Sequence, residues 1–292
     1  MHLTRIPAPP GAVDALKAET RGLFDRDFPL PGDADLTPLL PESGGVPVYW
    51  VTAHGHTSLD RGVVLYVHGG GFQSRMPELM NLFAHRLAGA TSRPVLVVHY
   101  RLVPADPYPA PLDDVLAVYR SLLDQGVPAG RITVVGESSG GALTLSALLA
   151  LKEQGIALPA SVVTLSAVTD MTVSGASVDT NSATDSGIDR AMLGHLIGQY
   201  LGAARPDQAP QSPLHGALDG LPPLLLTAGG AEALLDDTLR FGAAASAAGG
   251  EVEVDIYEEM PHGFQLRTLF EENPTGRGLL DRISTWVEKH TV

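Results

Sequence analysis

Apolar and polar positions change rhythm along this chain. Residues 12–27 (AVDALKAETRGLFDRD) carry Leu16, Leu23 and Phe24 at roughly helical spacing, and a stretch broken by Pro and Gly follows over 29–45. This opening segment has no strand rhythm and reads as an appendage. From Pro47 onward, short apolar runs alternate with helical ones. PVYWV (47–51) reads as a strand, and GVVLYVH (62–68), PVLVVHY (94–100), RITVVGE (131–137), SVVTLSAV (161–168) and PPLLLTAG (222–229) as strands rich in Val and Leu. Nearly continuous runs of this kind are what a strand buried on both faces requires. EVEVDIYEEM (251–260) alternates enough to predict an edge strand with one wet face. Helical spacing is found at 79–90, 113–125, 141–153, 235–248 and 277–289.

Strand and helix alternate at intervals that mean βαβ units and a mostly parallel sheet. Residues 170–215 interrupt the series: they are polar up to 187, helical at 188–201, then punctuated by Pro. The pattern predicts an α/β core over 46–169 and 216–292, with a cap built in two parts from 1–45 and 170–215.

Composition narrows the function. The 292 residues are 44% hydrophobic and 18% charged, enough for a real core. Lys and Arg total 19 against 33 Asp and Glu, a net charge of −14, which argues against nucleic acid and anionic membrane as partners. There is no Cys, so thiolate nucleophiles, disulfides and Cys-bound zinc are excluded. The first ten residues lack a signal-like apolar stretch and no run reaches the length of a membrane span, so the expectation is a cytoplasmic protein without stable membrane insertion.

The sharpest local feature is Gly136-Glu137-Ser138-Ser139-Gly140-Gly141, between a buried strand and a helix. In that context it reads as a nucleophile elbow, a tight turn that presents Ser138 while the helix N-terminus offers N–H groups to a developing oxyanion. The alternatives are a glycine-rich packing turn or a phosphate loop, and the second lacks its Lys. His68-Gly69-Gly70-Gly71-Phe72 follows the first buried strand, where consecutive glycines let the backbone itself approach a ligand. His68 reads as a residue that fixes this loop. A base is expected after the last strand, where Pro261-His262-Gly263 lies, since open parallel sheets bind ligands at the carboxyl ends of their strands. The acid that holds its tautomer is expected after the fifth of the buried strands; from spacing alone Glu232, Asp236 and Asp237 remain open, the last two also serving as helix N-terminal carboxylates. No metal set is apparent, and hydroxyl activation needs no cofactor.

Together these motifs resemble the hormone-sensitive-lipase-like branch of the α/β-hydrolases, the microbial carboxylesterase family, over roughly residues 45–290. His68–Gly71 matches its HGGG, Tyr100-Arg101-Leu102-Val103-Pro104 with Tyr108-Pro109-Ala110 its YRLAP…FPA, Gly136–Gly141 its GDSAGG, Leu165-Ser166 with Thr169-Asp170 its LSPWTD, and Pro261-His262 its PH. The resemblance implies an α/β-hydrolase fold with a helical cap, Ser138 as nucleophile, His262 as base, and an oxyanion hole from the N–H groups of Gly70, Gly71 and Ser139. It places Glu232 on the catalytic carboxylate, with Asp236 in reserve. The chain departs from the family at Glu137 and Ser139, where Asp and Ala are usual.

The expected activity is hydrolysis of short- to medium-chain carboxylic esters through an acyl-enzyme, with Phe24, Phe28, Phe72, Met171, Met192 and Leu196 as candidate walls of the acyl pocket. A lactone or an N-acetyl amide would use the same machinery. The changes at Glu137, Ser139 and Glu232 prompt a second reading, a catalytically silent ligand-binding member of the fold. A homodimer through the strand at 251–260 is a further expectation.

Overall fold

Val63–Val67 is buried at every position, and so are Val95–Val98 and Ser161–Leu165. β-Branched and Leu side chains on both faces of a strand require a layer of helix on each side, and the architecture follows from that. A computed structural model describes residues 1–12, 16, 27–39, 44–185, 187–270 and 272–291. The strands are β1 (His2–Ile6), β2 (Asp35–Leu39), β3 (Val48–Thr52), β4 (Val63–Val67), β5 (Val95–Val98), β6 (Ile132–Glu137), β7 (Ser161–Leu165), β8 (Leu224–Gly229) and β9 (Val252–Tyr257). Among the described residues they form one sheet in the order β1-β9-β8-β7-β6-β4-β5-β3-β2. Every pairing is parallel except those that β3 makes with β5 and β2.

Among the described residues from 44 onward the α-helices are α1 (Pro77–Thr91), α2 (Ala110–Asp124), α3 (Ser139–Glu153), α4 (Ser177–Thr180), α5 (Arg190–Leu201), α6 (Leu235–Ala247) and α7 (Pro274–His290). On one face of the sheet, α1 and α7 bury Leu87, Leu279, Ile283 and Trp286 against Val64, Val95 and Val163. On the other, α2, α3 and α6 bury Val118, Leu145 and Phe241 against Leu65, Val134 and Leu226. Asn273 caps α7, its side chain accepting from the N–H groups of Thr275 and Gly276. Helices α4 and α5 belong to the excursion at 170–215.

Two expectations are corrected. The opening segment contains strands: β1 runs parallel to β9 and β2 runs antiparallel to β3. Consequently 251–260 is no edge, because β9 lies between β8 and β1, and a dimer through that strand has no open backbone to use. β1 is an edge strand with only Thr4 and Ile6 half-buried, fixed by backbone pairing and an Arg5–Glu258 ion pair. Such a strand needs little apolar content, so its sequence carries little signal. β2 includes Pro38, and it is an edge strand, the place in a sheet where proline is tolerated.

The parallel order has one consequence for chemistry. The chain leaves β4 into Gly69–Gly71, β6 into Ser138, β8 into Glu232 and β9 into His262, all at the same end of the sheet.

Candidate active site

Ser138 stands at the turn from β6 into α3 with φ 50° and ψ −117°. A non-glycine residue held there costs about 1–3 kcal/mol and persists only if its surroundings fix it. They do: the Ser138 N–H donates to the Leu165 carbonyl at 2.8 Å, and the Ser138 carbonyl accepts from the Ala142 N–H at 3.1 Å. Close packing demands the glycines. A Cβ on Gly140 would fall deep inside the carbonyl oxygens of Val67 and His68, and one on Gly141 would meet the Ala167 Cβ at 2.6 Å. Ser139, fully buried, opens the fifteen-residue helix α3, whose first N–H groups have no partner within the helix.

Gly70 and Gly71 adopt φ of 114° and 62°. The Gly70 carbonyl is occupied, accepting from the Gln73 and Ser74 N–H groups and from Ser74 Oγ. On Gly71 a Cβ would lie 2.9 Å from Leu196 of α5, so this loop is pressed directly against the cap. His68 anchors the loop from below, as expected from sequence. Burial lowers its pKa to about 3, so the ring is neutral and Nδ1 donates to the Gly69 carbonyl at 2.5 Å. The ring stacks on Tyr100 at 4.3 Å, and the Tyr100 hydroxyl donates to the His68 carbonyl at 2.9 Å.

His262 Nε2 lies 3.0 Å from Ser138 Oγ, across 124 residues of sequence. Burial pushes the imidazole below the ordinary histidine range, and the Asp185 carboxylate pushes it back up. Its loop is seated by the turn after β8. The Ala231 N–H donates to the Met260 carbonyl at 3.0 Å, and a Cβ on Gly229 would crowd the Pro261 carbonyl at 3.0 Å.

Glu232, also fully buried, sits on this turn. Its Oε2 accepts from Ser166 Oγ at 2.7 Å and from the Gly229 N–H at 2.8 Å. Its Oε1 has no hydrogen bond among the described residues. Burial raises its pKa to about 8, against the pull of those two hydrogen bonds and with the help of Asp185 and Asp237. Asp237 is itself raised to about 6, chiefly by burial. A carboxyl so raised holds a proton in the folded state that the unfolded chain releases. Glu232 therefore contributes stability that is full below its ordinary 4.5 and is lost as pH rises through about 8. Between about pH 6 and about pH 9, above most of the Asp237 window, the wild type is expected to lose stability in urea while Glu232→Gln loses distinctly less. Equal slopes in the two proteins would remove this assignment.

The other sequence candidates separate clearly. Ser138, Ser139, Gly70, Gly71, His262, Phe72, Met192 and Leu196 line one cavity of about 310 Å³. Met76, Val168, Ile188, Leu193, Ile197, Leu234 and Leu266 add to its apolar walls, and Leu16 reaches it from the opening segment. Phe72 stacks on Tyr200 at 4.0 Å. Phe28 is elsewhere, edge-on to Phe270 at 6.3 Å on the α1/α7 side. Met171 is buried in the core on the opposite side of the sheet, and its N–H donates to Ser212 Oγ. Neither Phe28 nor Met171 borders the cavity. Phe24 lies outside the described residues. Asp236 faces α4: its Oδ2 accepts from the Ser177 N–H at 3.0 Å and its own N–H donates to Ser177 Oγ at 2.9 Å. It secures the cap rather than His262. Among the described residues, no group of three His, Asp or Glu is placed to hold a metal ion, and no helix is long and apolar enough to cross a membrane.

Leu193, Ile197 and Asp185 were not among the residues singled out from the sequence, and Glu137 was singled out only as a departure from the family pattern. Leu193 and Ile197 share a helical stripe with Leu196, and that spacing is the signal for them in 190–201. Glu137, half-buried and with its pKa raised by desolvation, accepts from the Tyr66 hydroxyl at 2.8 Å and borders the cavity beside Ser138. Asp185 gave no functional signal, because one partner is the N–H of Ile188 in an ordinary local turn and the other is the N–H of Ala233, 48 residues on.

The sequence profile described as alpha/beta hydrolase fold matches residues 64–266. An acetyl-hydrolase from Streptomyces hygroscopicus is 38% identical over 226 residues, 75% of this chain and 76% of its own length. An esterase from Acinetobacter venetianus is 35% identical over 210 residues, 70% of this chain and 68% of its own length. A solved structure of an esterase from the bacterial hormone-sensitive lipase family superimposes with a TM-score of 0.85 at 37% identity, covering 90% of this chain and 87% of the other.

Proposed function

This chain belongs to the hormone-sensitive-lipase-like branch of the α/β-hydrolases, a family of ester-cleaving serine hydrolases, and on that premise we propose that Ser138, His262 and Glu232 hydrolyse short- to medium-chain carboxylic esters through an acyl-enzyme. The observation that carries the residue assignment is the 3.0 Å approach of His262 Nε2 to Ser138 Oγ inside an apolar cavity bordered by Gly70, Gly71 and Ser139.

In this reading Ser138 Oγ attacks the ester carbonyl and its proton passes to His262 Nε2. The carbonyl oxygen becomes an oxyanion, held by the backbone N–H groups of Gly70, Gly71 and Ser139. The intermediate collapses, the C–O bond to the alcohol breaks, and the alkoxide takes the proton from His262. Water then attacks the acyl-Ser138 ester, gives a proton to His262, and the second collapse releases the acid and restores the hydroxyl. Burial keeps His262 neutral at neutral pH, the form a base requires. The acid limb of kcat/KM should therefore lie below the ordinary histidine range. We assign Glu232 as the carboxyl member of the triad from its place on the turn that seats the His262 loop, its Oε1 making no hydrogen bond among the described residues.

The test is turnover of p-nitrophenyl acetate through decanoate by the wild type and by Ser138→Ala; equal rates would end the reading. Leu196 supports the short-chain limit, since it bears on Gly71 at the oxyanion loop. Leu196→Ala is expected to move the optimum toward longer chains, by about 1–3 kcal/mol in relative kcat/KM per added methylene that fits. An unchanged chain-length profile would remove Leu196 from the acyl wall. Lactones and N-acetyl amides belong in the same substrate panel. Cytoplasmic residence remains part of the proposal, to be checked by fractionation; a homodimer would have to use a surface other than 251–260, and gel filtration tests it.

A further inference from the structure

The turn that carries Glu232 is clasped by the cap. Asn181 Nδ2 donates to the Glu232 carbonyl at 3.0 Å, and Thr184 Oγ1 donates to the Ala231 carbonyl at 3.0 Å. Asp185 Oδ2 accepts from the Ala233 N–H at 2.6 Å, while its Oδ1 accepts from the Ile188 N–H at 3.3 Å. Ile188 borders the substrate cavity, so one carboxylate joins the wall of the cavity to the acid-bearing turn.

We propose that Asp185 is a positioning residue of the hydrolytic site, pinning the Glu232 turn and supplying, from the cap, negative charge that favours the imidazolium of His262. The inference rests on the serine-hydrolase reading above. Three observations bring Asp185 forward. The hydrogen bonds of Glu232 run to Ser166 and Gly229, and burial holds its carboxyl up at about 8, so at neutral pH it carries little charge before the reaction begins. The Asp185 carboxylate raises both Glu232 and His262, as one charge near both groups must. And its two oxygens are bound by fixed backbone N–H groups, which hold the charge in place without reorganisation.

The charged surroundings are few. Glu232 and Asp237 stand on the acid turn and the helix after it, with Asp237 accepting from the Thr169 and Asp170 N–H groups. Arg240 pairs with Asp170 at 2.9 Å behind them. Glu137 borders the cavity from the elbow side, bonded to Tyr66. Within this set, no described Lys or Arg borders the cavity to compete with Asp185 for the field at His262.

The experiment is the pH dependence of kcat and kcat/KM for p-nitrophenyl acetate in full-length wild type, Asp185→Asn, Asp185→Glu and Asp185→Ala, with folding checked by thermal melting. Asn keeps an acceptor for the Ala233 N–H and loses the charge. The inference predicts that Asp185→Asn lowers kcat about tenfold or more, with KM nearly unchanged, and shifts the acid limb of kcat/KM to lower pH. The shift has that sign because a carboxylate that raised His262 has been removed. Asp185→Glu should return both toward wild type. A wild-type kcat and limb in Asp185→Asn would overturn the inference. So would a lowered kcat with an unmoved limb, or a defect in Asp185→Ala that Asn fully repairs, since both describe a purely structural tie. If Asp185→Asn does not fold, the limb is read in Asp185→Glu and Asp185→Ala, and identical limbs in these two overturn the charge assignment. Failure of the serine-hydrolase reading itself would appear separately, as wild-type turnover by Ser138→Ala.

Discussion

Ser138→Ala is expected to hydrolyse p-nitrophenyl acetate at least about 10³-fold more slowly than the wild type, with little change in KM or thermal midpoint. The size follows from what the substitution removes and what it leaves. Oγ is the atom 3.0 Å from His262 Nε2, and without it no acyl-enzyme forms. The cavity and the glycine-rich loop remain, so substrate still binds and some stabilisation of an attacked carbonyl persists. Ala at 138 must still adopt φ 50°, the strain that Ser already bears, so folding should be nearly unaffected. Progress curves at matched active protein, with intact folding confirmed by melting, separate the two contributions. A variant retaining more than about a tenth of wild-type turnover would require another nucleophile.

Gly140→Ala is expected to have the largest effect on stability, about 3 kcal/mol or more, and to yield little soluble protein. The added methyl has nowhere to go. It would overlap two backbone carbonyl oxygens, those of Val67 and His68, at the point where α3 crosses the end of β4. Backbone cannot rotate away as a flexible side chain can, so β4 and α3 would have to separate. That separation would carry the His68–Gly71 loop away from Ser138. Any folded fraction should therefore lose activity out of proportion to its loss of stability. Gly130→Ala, where nothing lies within 4 Å of the new Cβ, is the matched control and should leave both properties near wild type. A urea midpoint for Gly140→Ala equal to that of the control would contradict the packing described.

How much of this could be read in the sequence depended on where the information resides. Strands such as β4 and β5 declared themselves because each must be apolar on two faces, which leaves a nearly unbroken run of Val and Leu, whereas β9, with Glu253 and Asp255, showed only as an alternation. β1 did not, because an edge strand is fixed by backbone pairing to β9 and by Arg5 on Glu258, neither of which imposes an apolar pattern. The same gap produced the mistaken edge at 251–260. The turns at Ser138 and at Gly70 and Gly71 stood out because crowding and positive φ narrow the residue choice sharply, and His262 because it follows the last strand at the end of the sheet where those turns lie. Phe28 and Met171 went astray because aromatic and long apolar side chains signal burial without saying where. Asp185 left only an ordinary local trace, a turn contact from the Ile188 N–H three residues on. Its role comes from the cap folding back over a turn nearly fifty residues later, a contact made to main-chain atoms that any residue would supply.

Labelling with a fluorophosphonate probe, followed by peptide mass spectrometry, tests the pairing of Ser138 with His262 most directly. The account predicts a single phosphonylated peptide containing Ser138, at a rate that rises with pH as His262 loses its proton, absent in Ser138→Ala and strongly slowed in His262→Ala. Folded wild type that stays unlabelled, or that labels at the same rate when His262 is replaced, would contradict it.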